Sequence, residues 1–404
     1  MMVKTLPIRS IIDAVAGAAG AWCDTRFDPR QRALDAVGAR TGYSPAVVEF
    51  AFDRLFRPMT ADAIATVIAG ELGSLDVLDA FVHRGDRGAT RALPIGRVCI
   101  ISSRTTIGVA IVPAIFALCA KCEVLVKDRE DHLVSAFFAT LTEMRAEFGG
   151  SVAARPWRGE SDAVSLDAFD SIVSFGNDRT LAAISASLQF PTRLIAYPSK
   201  VSAGYLTLQS LATQRAADAV AYGAARDMLL YDGEGCLSLR VLFVERGANV
   251  SPARFCESLR DAIEGAAREF PTVASAESSA RRATARDMAS LKGDCDQQIF
   301  TDARSSYLVV LDPPLDQLPL LLPRALSVYS VADPLEAVAY LERHRIPLEA
   351  LAVTESNADL RDVAAGFGAS RIAAFGSLQD PPLGEFHGGR PRIAEFVRWI
   401  SDET

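Results

Sequence analysis

Arg97-Val98-Cys99-Ile100-Ile101, then the run Gly108 to Ala120, then Val124-Leu125-Val126-Lys127: these three pieces, following one another along the chain, decide the fold. The first and last are apolar, rich in β-branched residues and of strand length. The run between them is apolar on every side, as a buried helix must be. Strand, buried helix and strand in succession is the unit from which a parallel sheet covered on both faces is built. The pattern continues outward through a helix over Leu133 to Phe148, a strand over Ser171 to Ser174 ending at Phe175-Gly176, a helix over Asp178 to Leu188 and a strand over Leu194 to Tyr197. Such alternation predicts a doubly wound α/β sheet, and ligands bind these sheets at the carboxyl ends of their strands. The ends here hold Ser102 to Thr106, Lys127, Gly176 and Lys200.

Upstream, residues 1–90 read as helical. Ile11, Ile12, Val15 and Ala19 keep a helical spacing, a second pattern stops at Gly42, Ser44-Pro45 opens a further helix, and Thr60 with Asp62 opens another. Downstream, a helix over Gln214 to Met228 leads to Tyr231-Asp232-Gly233-Glu234-Gly235-Cys236-Leu237-Ser238 and a strand over Leu239 to Val244. A second αβ region runs to about residue 375, with strands over Tyr307 to Leu311, Ala325 to Val331 and Ala350 to Val353. Asp333-Pro334 with Glu336 opens a helix, and Asp312 to Pro323, rich in Pro and Leu, reads as a loop over a cleft. The chain closes on His387-Gly388-Gly389 and an amphipathic helix over Ile393 to Ile400. These patterns divide it into a helical N-terminal segment (1–90), a nucleotide-binding domain (91–228), a catalytic domain (229–375) and a C-terminal segment (376–404).

Composition excludes several classes. A net charge of −8 removes the basic footprint of a nucleic-acid binder. Seven cysteines, an odd number and widely spread, argue against a disulfide framework and for a reducing compartment. The longest apolar run stops at Lys121, short of the ~20 residues a bilayer needs, and Asp13 interrupts the apolar stretch near the N-terminus. The expectation is a cytoplasmic protein with no membrane segment. Only five lysines stand against 37 arginines, so each lysine draws notice.

Cys236 is the first candidate for chemistry. Gly233 and Gly235 allow unusual backbone angles and close approach, a thiolate is a strong nucleophile, and backbone N–H groups around it can hold an oxyanion. Asp232 and Glu234 would raise the thiol pKa unless a helix N-terminus or a cation opposed them. The plainer alternative is a structural cysteine in a tight turn. Lys127 and Glu130, three apart at a strand end, could reach ribose hydroxyls or a phosphate; the alternative is a solvated strand end. No G-x-G-x-x-G, G-x-S-x-G or Walker motif occurs. Cys119-Ala120-Lys121-Cys122 has no second pair at metal spacing, and the four histidines form no ligand set, so no metal is expected; His387, in a Gly-rich turn, is the one to watch.

Taken together these pieces resemble the aldehyde dehydrogenase superfamily, and more closely its acyl-CoA reductase branch, the type that serves as reductase subunit of bioluminescence fatty acid reductase. Trp22-Cys23-Asp24, Arg32-Ala33-Leu34 and Thr41-Gly42-Tyr43-Ser44 are similar to that branch's opening, and Pro94-Ile95-Gly96-Arg97-Val98 to the entry of its cofactor domain. Asp227 to Ser238 resembles the nucleophile segment, and Gly368-Ala369-Ser370-Arg371-Ile372 with His387-Gly388-Gly389 to Arg398-Trp399 the closing segment. The resemblance implies an aldehyde-dehydrogenase-like fold with a Rossmann-type cofactor domain and an αβ catalytic domain. It implies Cys236 as catalytic cysteine, Lys127 as cofactor lysine and Phe175-Gly176 as the turn beside the nicotinamide. The cofactor would be NADPH or NADH, the substrate an acyl-CoA or other acyl thioester, and the product an aldehyde. An acyl-activating or acyl-transfer enzyme is the implied partner, and a homo-oligomer stays open. The departures are specific. The oxyanion asparagine falls on Thr105, the glutamate base of the hydrolytic enzymes falls on Ala196, and the E-x-F-G-P ribose element has no match. The missing base argues against a hydrolytic aldehyde dehydrogenase; Thr105 and the missing ribose element leave a catalytically weakened acyl-binding subunit as the other alternative.

Overall fold

The structure, a computed structural model, describes residues 3–404 apart from 86–87, 104, 129–131, 157–164, 272–274 and 293–296. The chain forms two compact units, Met1–Ser199 with Pro382–Thr404, and Lys200–Pro381.

The first unit opens on helices α1 (Ile8–Cys23), α2 (Asp28–Thr41), α3 (Pro45–Phe56) and α4 (Ala61–Leu72). Gly42 ends α2 in the left-handed region, Pro45 fills the first turn of α3, and the Thr60 hydroxyl accepts the Ala63 N–H at the start of α4. Ser44 stands at the α3 cap position, but its side chain makes no capping bond. Strands β1 (Val82–His83), β2 (Ala89–Pro94) and β3 (Arg97–Ile101) follow, then α5 (Ile111–Cys119), β4 (Glu123–Lys127), α6 (Leu133–Met144), β5 (Val152–Arg155), β6 (Ser171–Phe175), α7 (Asp178–Ser187) and β7 (Arg193–Tyr197). The last five strands form a wholly parallel sheet in the order β5-β4-β3-β6-β7. The N-terminal helices pack into this unit: Trp22 lies between Phe52, Phe56 and Phe137, and its indole N–H donates to Thr140 of α6 at 3.1 Å.

The second unit runs β8 (Val201–Leu206), α8 (Gln214–Leu229), β9 (Leu239–Glu245), α9 (Pro252–Glu269), α10 (Ala276–Lys292), β10 (Gln298–Phe300), β11 (Leu308–Leu311), β12 (Ala325–Val331), α11 (Pro334–His344), β13 (Leu348–Val353), α12 (Ala358–Gly366) and β14 (Arg371–Ala374). Its sheet has the order β10-β11-β12-β9-β8-β13-β14, parallel except for the edge pair β10–β11. Asp333 caps α11 through the N–H groups of Leu335 and Glu336, with Pro334 behind it, as its local pattern requires. The 312–323 segment is irregular and, with Met288 and Ala289 of α10, borders a groove of about 210 Å³. Finally, β15 (Val397–Asp402) pairs antiparallel with β2, back in the first unit.

Four expectations need correction. The helix from Leu133 stops at Met144 rather than Phe148: Arg145 is extended (φ −149°), and a 3-10 turn carries buried Phe148 inward. The helix expected over Ile393 to Ile400 is a short 3-10 turn followed by β15, because pairing with β2 takes up the backbone from Val397 to Asp402. The expected division after residue 228 falls instead after Ser199, since β8 pairs with β9 and β13 and so carries α8 into the second unit. Lys200 therefore does not end a strand of the first sheet. It precedes β8, donates to the Gly368 carbonyl at 2.9 Å and pairs with Glu349 at 3.8 Å. Among the described residues no helix is long and apolar enough to cross a membrane.

Candidate functional site

In the first unit the chain starts its sheet in the middle. β3 is central, β4 and β5 lie to one side, and β6 and β7 to the other. The strand order reverses between β3 and β6, and the crevice beyond their carboxyl ends is where a sheet of this kind holds a ligand. Register places Ile101, Lys127 and Ser174 at one level, so the segments that follow lie at the same end. Among the described residues these are Ser102, Ser103, Thr105 and Thr106 of the stretch singled out by sequence, with Lys127 and Phe175-Gly176; Glu130 lies outside the described residues. The Thr105 carbonyl accepts the Tyr43 hydroxyl at 2.8 Å, while its own hydroxyl is 3.1 Å from that of Ser103, which also accepts the Thr105 N–H. Lys127 is half-buried, with Asp128 beside it bonded through its N–H to the Arg155 carbonyl. After Gly176, Asn177 caps α7 through the Thr180 N–H. Tyr197, at the end of β7, stacks on Phe175 (centroids 4.6 Å apart, planes 8° from parallel), and the His387 ring lies 5.1 Å from Tyr197. Sequence reading noticed Phe175 and His387 singly but missed Tyr197, which joins them.

In the second unit, Cys236 is delivered by an unusual turn. A short 3-10 segment, Leu230–Gly233, follows α8, and within it Tyr231 (φ 53°), Asp232 (φ 51°) and Gly233 (φ 70°) are all left-handed. Two consecutive non-glycine residues in that region cost of order 1–2 kcal/mol each and need outside support. Arg324 provides it: its N–H donates to the Asp232 carbonyl at 2.9 Å and its Nε to the Asp232 carboxylate at 2.6 Å. Gly233 is obligatory, because a Cβ there would meet the Met228 carbonyl oxygen at 2.8 Å. The turn then closes through the Ser238 N–H to the Gly235 carbonyl, and the Ser202 hydroxyl donates to the Cys236 carbonyl at 2.9 Å.

Of the two opposing influences that the sequence called for, the structure supplies the cation. Cys236 precedes β9 and is not at a helix N-terminus, but the Asp232 charge is matched by nearly buried Arg324. Partial desolvation holds the Glu234 carboxyl above its ordinary range, against the pull of Arg240. Arginine is the right cation for this corner. Arg324 also donates to the Phe270 carbonyl, and Arg282 to those of Ser305 and Pro323, so flat guanidinium forks bind several carbonyls at once where an ammonium could not.

Burial disfavours the thiolate at the other described cysteines. Burial pushes the thiols of Cys99, Cys119 and Cys122 up to about 12 and raises those of Cys23 and Cys256. The Cys122 thiol donates to the Phe396 carbonyl, which gives the C-x-x-C a packing role. Among the described residues no cluster of His, Cys, Asp and Glu is placed to hold a metal.

The similarities to known proteins run through both units. A family model described as acyl-CoA reductase (LuxC) matches residues 3–399. The long-chain acyl-protein thioester reductase of Aliivibrio fischeri is 20% identical over 409 residues, spanning 98% of this chain and 83% of that protein. Among solved structures, an NAD-dependent benzaldehyde dehydrogenase from Corynebacterium glutamicum matches with TM-score 0.72 at 13% identity, over 100% of this chain and 86% of that one. A glyceraldehyde-3-phosphate dehydrogenase from Methanocaldococcus jannaschii, complexed with NADP, matches with TM-score 0.70 at 12% identity, over 99% and 90%. With the fold fixed by these structures and the family model running along nearly the whole sequence, the chain belongs to the acyl-CoA reductase family, an acyl reductase on the aldehyde dehydrogenase fold.

Proposed function

We propose that this protein reduces a long-chain acyl thioester to its aldehyde with a nicotinamide nucleotide, through a thioacyl-enzyme on Cys236. The observation that carries the reading is the left-handed turn at Tyr231–Gly233, held by Arg324, whose guanidinium also offsets the carboxylate that would disfavour a thiolate. The Cys236 sulfur attacks the thioester carbonyl carbon, a C–S bond forms, and the thiol of the substrate leaves as thiolate. When bound, the reduced nucleotide supplies the hydride that the acyl carbon accepts. The resulting thiohemiacetal collapses to aldehyde and returns the thiolate of Cys236. Thr105 would offer its hydroxyl to the developing oxyanion in place of an amide, a donor of shorter reach.

The strand-end crevice suits a dinucleotide. The sheet reverses there, Lys127 ends the neighbouring strand, and Phe175 is backed by Tyr197. The choice between NADPH and NADH rests on Arg129 and Glu130. A carboxylate at 130 favours a ribose 2′-hydroxyl, an arginine at 129 a 2′-phosphate, and the reading leans to NADH.

The test is covalent labelling. Incubated with radiolabelled long-chain acyl-CoA without reduced nucleotide, the parent protein should retain label on the Cys236 peptide. Cys236→Ala should retain none and lose turnover, while Cys119→Ala and Cys122→Ala should label normally. Equal labelling of Cys236→Ala overturns the assignment.

A further inference from the structure

The segment after β14, Phe375 to Asp380, has no regular structure, yet other groups hold it at nearly every point. Asp227, wholly buried on α8, accepts the Gly376 N–H at 2.7 Å and the Leu378 N–H at 3.0 Å. The Arg371 guanidinium donates to the carbonyls of Ser377, Leu378 and Asp380 at 2.9, 2.7 and 3.1 Å. Gly376 is left-handed (φ 85°) and lies against Gly223 of α8 so closely that a Cβ on Gly223 would stand 2.8 Å from the Phe375 carbonyl. An irregular loop ordinarily gives its polar groups to water. This one is fixed from both sides at the expense of a buried carboxylate, a cost that calls for a compensating role.

What the loop presents is Gln379. Its buried side-chain amide donates from Nε2 to the Ser238 hydroxyl at 2.7 Å. The same amide covers Gly235, where a Cβ would come within 3.4 Å of its oxygen and 3.3 Å of the Ser238 hydroxyl. Gly235 and Ser238 are the two ends of the turn that contains Cys236. From the far side, Ser202 bonds the Cys236 carbonyl.

We infer that Gln379 is a positioning residue for Cys236, and that Asp227 and Arg371 serve it by locking the loop that carries it. The inference rests on the reading of Cys236 as nucleophile. Gln379 acts through the Ser238 hydroxyl and the Gly235 backbone, and so on the turn from which the thiol projects. Misplacing a reactive group by about 1 Å costs on the order of 100-fold in rate. Loss of this hydrogen bond should therefore appear in acylation rather than in folding.

The experiment uses the full-length protein and two rates measured without reduced nucleotide. These are acylation of Cys236 by radiolabelled long-chain acyl-CoA and alkylation of Cys236 by iodoacetamide as a function of pH. Gln379→Ala should slow acylation roughly 10- to 100-fold and displace the alkylation profile, with the thermal midpoint little changed. Gln379→Glu has no donor once ionised. It should be slow at neutral pH and approach the parent rate at matched pH as its carboxyl regains a proton to give to Ser238. If Gln379→Ala does not fold, Ser238→Ala, which removes only the acceptor hydroxyl, takes its place with the same slowing expected. Parent-like acylation in the folded variants overturns the inference while leaving the nucleophile assigned. Label retained by Cys236→Ala overturns the nucleophile itself, a separable result.

Discussion

Asp227 holds its carboxylate where water does not reach. Burial lifts its pKa from an ordinary 3.8 to about 7, against the pull of two backbone N–H donors and of the Arg226 and Arg371 guanidinia. A carboxyl whose pKa is raised on folding binds its proton more tightly in the folded than in the unfolded chain. Its contribution is therefore most favourable below about pH 4 and is withdrawn as pH rises towards 7; above that it is constant. A shift of about three units corresponds to about 4 kcal/mol in order of magnitude. Asp227→Asn should remove this dependence. The difference in urea unfolding free energy between parent and variant should move against the parent between pH 4.5 and 7, then level off. A difference constant across that window would show that Asp227 does not titrate there. Little of this was legible in the sequence. Cys236 draws notice because Gly233 and Gly235 stand near it, whereas Gln379 meets Ser238 across a separation of 141 residues, with no local sign on either partner.

Among the elements, those that explain themselves locally were the readable ones. α11 starts at Asp333-Pro334 because cap, ring and first-turn Glu336 all lie within a few residues. β8 was missed because Ser202 and Gly204 interrupt its apolar run; Gly204 is needed so that Phe375 and Leu242 can close over it. β15 was misread for a related reason. Ile393, Phe396, Val397 and Ile400 keep a helical spacing, and nothing nearby announces a partner strand at residues 89–94. What sets the entry to β15 is Glu71 of α4, whose carboxylate accepts the N–H groups of Arg392, Ile393 and Ala394 at 2.6, 2.8 and 3.0 Å. Glu71→Ala leaves three donors without that acceptor and should destabilise the first unit by about 2 kcal/mol. Amide hydrogen exchange should quicken in β15 and β2 while acyl labelling of Cys236 persists. Unchanged exchange in both strands would mean that the β2 pairing alone sets β15.

For the whole molecule, the proposed reading turns on the fate of the acyl-enzyme. The resemblance to the aldehyde dehydrogenases puts the hydrolytic base on Ala196, in β7 opposite Ser174, and a methyl group takes no proton. A thiol ionises far more readily than water and needs no such base. In the reverse direction, aldehyde with oxidised nucleotide should therefore give acyl-CoA when CoA is present and little free acid when it is absent. Fast, stoichiometric acid without CoA, measured per aldehyde oxidised, would sink the reductase reading. The route of the chain adds a consequence for biosynthesis. The thiol emerges from the ribosome at residue 236, its opposing arginine at 324, and the amide that steadies its turn only at 379; β2 waits longer still for residues 397–402. A nascent or truncated polypeptide that stops before residue 379 thus carries the cysteine without the groups that hold its turn, and acyl labelling of such a product, on the proposed reading, should be slow.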